Sequence, residues 1–202
     1  MKQTTWKTNF KQRTITSIVL IAIFCITYFL LPPLFFSLLM ISAGIIIITR
    51  ELPRLNALWL APCYPTISLI ILIYLNQTAR YHHLIFYAYI VTFVFDSGAY
   101  LIGSFIGKHY IAPHLSPKKT WEGALGGFIA CHIAVHTMML YTQHYSYIFT
   151  SIISIMLSLA AFFGDLFVSF LKRKAQVKDT GTLLPGHGGL LDRLDSIIYV
   201  II

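Results

Sequence analysis

From Thr14 to Thr49 the chain is apolar throughout, broken only by Pro32-Pro33. That is too long for one membrane span and about right for two, since a span needs roughly 20 residues. A backbone in hydrocarbon must satisfy its own hydrogen bonds, so such segments are helical. The proline pair forces a tight turn between them, expected on the extracytoplasmic side. The start has the basic flank and apolar stretch of a signal peptide but no small-residue cleavage site, so a retained helical hairpin is expected. Further spans are expected at about Ala57–Leu75, Leu84–Ile106, Trp121–Tyr141 and Tyr147–Phe163. The expected fold is therefore all-α: a polytopic transmembrane bundle of about six spans. It forms a single integral-membrane domain over 1–202, with N-terminal membrane helices in 1–94 and the motif-bearing part in 95–202.

Charge placement gives the orientation. Only 11% of residues are charged, against about 25% in a soluble domain. With the N-terminus cytoplasmic, fourteen of the fifteen Lys and Arg residues fall on the cytoplasmic side of this plan, and only Arg80 falls outside. The net charge of +8 therefore flanks apolar spans rather than lining a soluble face, which argues against nucleic acid as partner. Cys25, Cys63 and Cys131 lie far apart in apolar runs and read as small buried hydrophobes. The topology puts the two polar regions, Lys108–Glu122 and Ser169–Asp195, on one cytoplasmic face.

Four of the seven acidic residues, Asp165, Asp179, Asp192 and Asp195, sit in the last quarter of the chain. Asp192 and Asp195 are three apart and share a helix face. A divalent cation relieves their repulsion, and an all-oxygen site that keeps water suits Mg²⁺. Asp165, in "FFGDLF" at the end of the sixth expected span, offers a further ligand. The glycines of "GHGG", including Gly188 and Gly189, let backbone N–H groups approach an anion. Lys172, Arg173, Lys178 and Arg193 bring positive charge for phosphates. Upstream, Asp96 lies within an apolar span, where an ionisable group is costly. "SPKKTWEG" offers Ser116, Thr120, Lys118, Lys119 and Glu122 at a helix N-terminus that favours an anion. Carboxylates, glycines and cations together describe phosphoryl or nucleotidyl transfer, which depends on positioning and electrostatics. A lone DxxD would more often cap a helix.

"SFLKRKAQVKDTGTLLPGHGGLLDRLD", Ser169 to Asp195, resembles the signature of the phosphatidate cytidylyltransferases, or CDP-diacylglycerol synthases. The matching positions include Ser169, Leu171, Lys172-Arg173, Lys178-Asp179, Gly181, Leu184-Pro185, His187-Gly188-Gly189, Asp192-Arg193 and Asp195. "DSGAYLIGSFIGKH", "SPKKTWEG", "GDLF" and "KQRTITSIVL" are also similar to family segments. The resemblance implies transfer of CMP from CTP to phosphatidate, giving CDP-diacylglycerol and pyrophosphate in phospholipid biosynthesis. It implies Mg²⁺ on Asp165, Asp192 and Asp195, with room for a second cation. Ser116, Lys118, Thr120 and Glu122 would hold the triphosphate or the phosphatidate head group, and Ser169, Gly188 and Gly189 belong to the same substrate-binding set. Lys172, Arg173, Lys178, Asp179, His187 and Arg193 would be catalytic, mostly as phosphate contacts. His187 reads as a donor or loop-shaping residue rather than a base, because a phosphate nucleophile is already anionic. The implied protein is a multi-pass component of the inner membrane, facing the cytoplasm and acting on membrane lipid as a homodimer.

Family members are longer before "DSGAY" and continue past the signature into another helix, so a C-terminal helix is expected to be missing after "SIIYVII". Three rival readings stand beside the enzyme. A transporter or channel accounts for Asp96 but not for the cationic loop, and no inverted repeat is visible. A membrane lipid kinase would use ATP. An inactive scaffold is compatible with the short end. His132 and His136 are expected to make interhelical hydrogen bonds rather than bind metal. Gly123, Gly126 and Gly127 are expected to allow close helix contact.

Overall fold

The computed structural model describes residues 2–142 and 146–201. Its helices are α1 (Lys2–Cys25), α2 (Pro33–Ile46), the short α3 (Leu52–Arg54), α4 (Pro65–Gln77), α5 (His82–Ile106), α6 (Trp121–Thr142), α7 (Tyr147–Lys174) and α8 (Leu191–Ile201). Two wide π turns, Ile26–Leu30 and Ile47–Glu51, extend α1 and α2. The side chains of Lys2 and Lys7, part of the basic N-terminal flank, lie outside the described residues.

The expected all-α fold needs one correction. Tyr110–Ala112 (β1) and Ser116–Thr120 (β2) pair antiparallel, with Tyr110 opposite Thr120 and Ala112 opposite Ser116. What reads as a polar loop is thus a small bulged hairpin. Five segments are long and apolar enough to cross a membrane among the described residues: Lys11–Leu30, Pro33–Arg54, Leu58–Gln77, His82–Ile106 and Tyr147–Lys174. α6, the expected fifth span, is not one of these. Boundaries move as well. The third segment begins as a 3₁₀ turn, Leu58–Leu60, and becomes regular only where Pro65 starts α4 at its first position. The last of the five runs on to Lys174, so Asp165 lies inside α7 rather than at its end.

The chain forms two compact units. One comprises Met1–His82 and Leu171–Leu194; the other comprises His83–Phe170 and Asp195–Ile202. In the first, α2 packs on α4, and Phe36, Met40 and Ala43 of α2 and Leu69 and Leu72 of α4 are all buried. Asn76 Nδ2 donates to Ser37 Oγ at 3.0 Å and to the Pro33 carbonyl at 2.6 Å, tying the two helices at the proline turn. His82 stacks on Tyr28, with ring centroids 4.3 Å apart.

In the second unit the core is Val91, Phe95, Ala124, Cys131, Val135, Ala161 and Phe162. Lipid offers helices no hydrophobic drive to associate, so close packing and interhelical hydrogen bonds must hold them. Both are present. A Cβ on Gly123 of α6 would come within 2.7 Å of the Ala99 carbonyl of α5, so only glycine admits this approach. The interhelical role expected of the His132/His136 pair is seen in the hydrogen bond, 3.3 Å long, between His136 Nε2 of α6 and Ser151 Oγ of α7. Cys131 is buried with its Sγ on the Val91 carbonyl, whereas Cys25 and Cys63 are exposed, against the expectation for those two.

Candidate functional site

The signature loop grows from the end of α7. Lys172, Arg173 and Lys174 occupy the last helical turn, where cations complement the helix dipole. Gln176 takes φ 56°, and Val177 N–H returns to the Lys172 carbonyl, stopping the helix. The loop then folds on itself: Leu184 N–H donates to the Gly188 carbonyl, and the N–H groups of His187 and Gly188 return to the Leu184 carbonyl. Gly188 has φ +87°, and a Cβ there would sit 2.6 Å from Asp192 Oδ2.

Asp192, in the first turn of α8, is the hub of this loop. Its Oδ2 accepts Thr180 N–H at 2.8 Å, Gly189 N–H at 2.9 Å and Thr180 Oγ1 at 3.0 Å. Its Oδ1 accepts Lys172 Nζ at 2.9 Å. The Asp192 side chain is 4% exposed and that of Lys172 15%. Burial alone would raise the pKa of this carboxyl; the Gly189 N–H, the Lys172 ammonium and the Thr180 N–H outweigh it and hold the pKa below 3.8.

These bonds revise how the glycines work. The N–H groups of His187, Gly188 and Gly189 are engaged inside the loop, so side-chain cations are what face the open space. Lys178, His187 and Arg193 line a cavity of about 560 Å³ together with Asp179, Gly188 and Arg13. In the sequence Arg13 stands only as a topology marker and within the family-like segment "KQRTITSIVL". Its Nε donates to the Gly186 carbonyl at 2.8 Å, Thr16 Oγ1 donates to the Pro185 carbonyl at 3.0 Å, and Ser17 Oγ lies 3.2 Å from His187 Nε2. Residues 13, 16 and 17 share one face of α1 and grip the Pro-Gly-His turn. Arg193 holds the other side through the His187 carbonyl. Burial first, then the charges of Arg193 and Arg13, push the His187 pKa below 6.5, with the Pro185 carbonyl acting the other way. His187 is therefore a neutral loop-shaping group at neutral pH.

A second cavity, about 300 Å³, lies in the other unit. Ser116, Lys118, Lys119, Thr120, Asp96 and Asp165 give it polar walls, and Phe95, Ala99, Tyr100 and Phe162 line its apolar part. Lys119 Nζ pairs with Asp165 Oδ2 at 2.5 Å. Thr120 is buried, and its Oγ1 accepts the Gly123 N–H, so it N-caps α6. Glu122 does not line this cavity. It accepts the Lys108 and His109 N–H groups at 3.2 Å each and pairs with the His109 ring, closing the start of the hairpin.

The expected residues are thus only partly gathered. Lys178, Asp179, His187, Gly188 and Arg193 share the first cavity; Ser116, Lys118, Thr120 and Asp165 share the second. Lys172, Arg173, Ser169, Gly189, Asp192 and Asp195 line neither. Lys172, Gly189 and Asp192 lie in the loop's hydrogen-bond network, Ser169 is buried in α7 and Asp195 is buried on α8. Arg173 is exposed, with Nη1 on the Val177 carbonyl. Among the described residues no three His, Cys, Asp or Glu side chains gather as a ligand set for a metal. Carboxylate oxygens suit a hard cation, but here Asp165 and Asp192 are each neutralised by a lysine.

Apolar helices of membrane-crossing length and two cation-lined cavities suggest the class: a mostly helical membrane protein. The model of the cytidylyltransferase family matches residues 50–202. The chain is 43% identical over 120 residues to the phosphatidate cytidylyltransferase of Staphylococcus saprophyticus, covering 59% of this chain and 46% of that protein. It is 44% identical over 117 residues to the phosphatidate cytidylyltransferase of Bacillus subtilis, covering 57% and 44%. The chain belongs to the cytidylyltransferase family. The matched stretch spans a little under half the length of these curated relatives.

Proposed function

We propose that this chain transfers the cytidylyl group of CTP to phosphatidate, releasing pyrophosphate and leaving CDP-diacylglycerol in the membrane. The observation that carries the reading is the cavity where Arg13, Lys178 and Arg193 converge over the loop that Asp192 organises. Three cations around an open hollow suit a triphosphate, since each charge-assisted contact is stronger than a neutral one. The second cavity is lined by both lysines and aromatic side chains, which suits an anionic head group whose tails stay in lipid.

In the reaction an oxygen of the phosphatidate phosphate forms a bond to the α-phosphorus of CTP, and the bond from that phosphorus to the β-phosphate oxygen breaks. Pyrophosphate carries away the electron pair. The nucleophile is already an anion, so no residue needs to remove a proton, and a neutral His187 fits this chemistry. Lys178, Arg193 and Arg13 bind the departing phosphates and hold them in line. Following the family resemblance, Asp165, Asp192 and Asp195 would hold Mg²⁺, which when bound neutralises phosphate charge. Lys119, which now pairs with Asp165, would become free to contact phosphate. A second cation, a homodimer, and an inner-membrane topology of about six spans with the N-terminus and active site on the cytoplasmic side belong to the same proposal.

The test is direct. Full-length protein in detergent micelles is given phosphatidate, Mg²⁺ and CTP labelled in cytidine. Label should become lipid-extractable and should depend on both phosphatidate and the metal. Label that stays aqueous while the protein is folded sinks the reading. Label transferred from the γ-phosphate of ATP instead would establish a lipid kinase.

A further inference from the structure

Glu51 is the one acidic residue of the first unit outside the signature, and it closes the π turn that ends α2. It is 2% exposed, and among the described residues no lysine or arginine pairs with it. A buried carboxylate without a counter-ion is costly unless hydrogen bonds replace its water. Three do. Leu190 N–H donates to Oε1 at 2.7 Å, Leu191 N–H donates to Oε2 at 2.8 Å, and Thr180 Oγ1 lies 2.9 Å from Oε2. All three donors belong to the signature loop or the start of α8, more than a hundred residues away in sequence.

The contacts form a chain that ends on Asp192. Thr180 Oγ1 also lies 3.0 Å from Asp192 Oδ2. A hydroxyl has one proton to donate, so Glu51 and Asp192 compete for it. The amides of Leu190 and Leu191 are two of the N–H groups that an α-helix start leaves unpaired. Glu51 satisfies them and brings a negative charge to the positive end of α8, where an anion is favoured. The backbone packs around it: a Cβ on Gly189 would meet Glu51 Oε1 at 2.6 Å, and one on Gly181 would meet it at 3.0 Å. Those two glycines of the signature leave room for this carboxylate.

We propose that Glu51 is a positioning residue for the transfer reaction: a remote cap that fixes the start of α8 and, through Thr180, sets the orientation of Asp192. The inference rests on the cytidylyl-transfer reading for its kinetic consequence, though not for its structural one. Glu51→Gln keeps the size but presents an N–H₂ where the site supplies donors. Its expected result is a fall in kcat of about 10²-fold, the scale of a displacement near 1 Å, with KM for CTP and for phosphatidate unchanged. Thr180→Val should lower kcat likewise, while Thr180→Ser, which keeps the hydroxyl, should restore it. If Glu51 acts through Thr180, the Glu51→Gln/Thr180→Val pair loses little more than either single change.

The decisive measurements are these kinetics together with hydrogen–deuterium exchange of the wild-type protein and of Glu51→Gln in detergent. In the wild type, the Leu190 and Leu191 amides should exchange as slowly as buried helix amides. In Glu51→Gln they should exchange fast while α2 and α4 keep their protection. An unchanged kcat in Glu51→Gln, losses that multiply in the double variant, or fast exchange at Leu190 and Leu191 in the wild type would each overturn the proposal. A wild-type chain that transfers no cytidylyl group defeats only the functional reading, because the exchange comparison still decides the cap. Should Glu51→Gln fail to fold, the Thr180 variants and wild-type exchange decide it.

Discussion

Among the described residues two aspartates pair with a lysine, and the settings differ. Asp192 is almost fully enclosed: Lys172 takes one oxygen and three donors from Thr180 and Gly189 converge on the other. Asp165 is 30% exposed, its partner Lys119 24%, and one ion pair holds it on the rim of a cavity. The first carboxylate is built into the backbone of a loop; the second is held by a flexible side chain. An enclosed pair resists exchange of its partner and carries structural weight. A pair 24–30% exposed on a cavity rim is less enclosed and opens for a ligand at smaller cost. The structure gives Asp192 the work of holding the loop; on the proposed function it would also serve the chemistry, whereas Asp165 would serve the chemistry alone.

The largest effect separates the two. Asp192→Asn should abolish detectable cytidylyl transfer, a loss of at least about 10²–10³-fold. It should also destabilise the protein by about 3–5 kcal/mol, the scale for breaking a buried pair on one side. Asp165→Asn should impair transfer as well, yet change stability by less than about 1 kcal/mol. Thermal unfolding in detergent alongside the transfer assay reads both. Equal destabilisation by the two changes would break the comparison.

Next in size is Arg13→Ala. The guanidinium holds the Gly186 carbonyl and faces the first cavity, so its loss should raise KM for CTP about tenfold, the scale of a hydrogen bond to a charged group. KM for phosphatidate should hold, and kcat should fall as well, because Arg13 is proposed to hold the departing phosphates. Arg13→Lys should recover only part, because a lysine cannot serve carbonyl and phosphate together through one planar fork. A rise in KM for phosphatidate instead would exchange the substrates assigned to the two cavities.

Much of this was readable in the chain and some was not, for definable reasons. The dense pattern from Lys178 to Arg193 marks the cationic loop because glycines, a proline and charges are clustered there in an otherwise apolar chain. Thr120 is legible as a cap only once α6 is known to begin at Trp121, since a hydroxyl before a helix looks the same as a hydroxyl for substrate. Glu51 gives no local signal: it is a single acid after an apolar run, and its partners lie at Thr180, Leu190 and Leu191. The hairpin from Tyr110 to Thr120 was hidden by Pro113 and Pro117, which read as loop. The length of α7 was hidden by Asp165, which looks like the end of a span until Lys119 is seen to neutralise it.

The smallest effect probes the α1 face of the first cavity. Ser17→Ala removes the hydroxyl beside His187 Nε2 and should cost about 0.5–1.5 kcal/mol, the usual net value of one hydrogen bond. Its informative readout is pH. The folded protein holds the His187 pKa below 6.5, the ordinary value that the unfolded chain regains. Above pH 6.5 the ring is neutral in both states, and the stability of the fold is undiminished by it. As pH falls below 6.5 the unfolded chain takes up the proton first, so stability declines until pH passes the lowered folded value, where the loss levels off. His187→Gln should flatten that decline, measured as unfolding temperature against pH from 7.5 to about 4.5, a window bracketing the ordinary histidine range. Ser17→Ala should keep it, because burial and the charges of Arg193 and Arg13, rather than the serine, lower the pKa. A decline that persists unchanged in His187→Gln would mean that another group titrates there, and the neutral imidazole would lose its place beside the phosphate-holding cations.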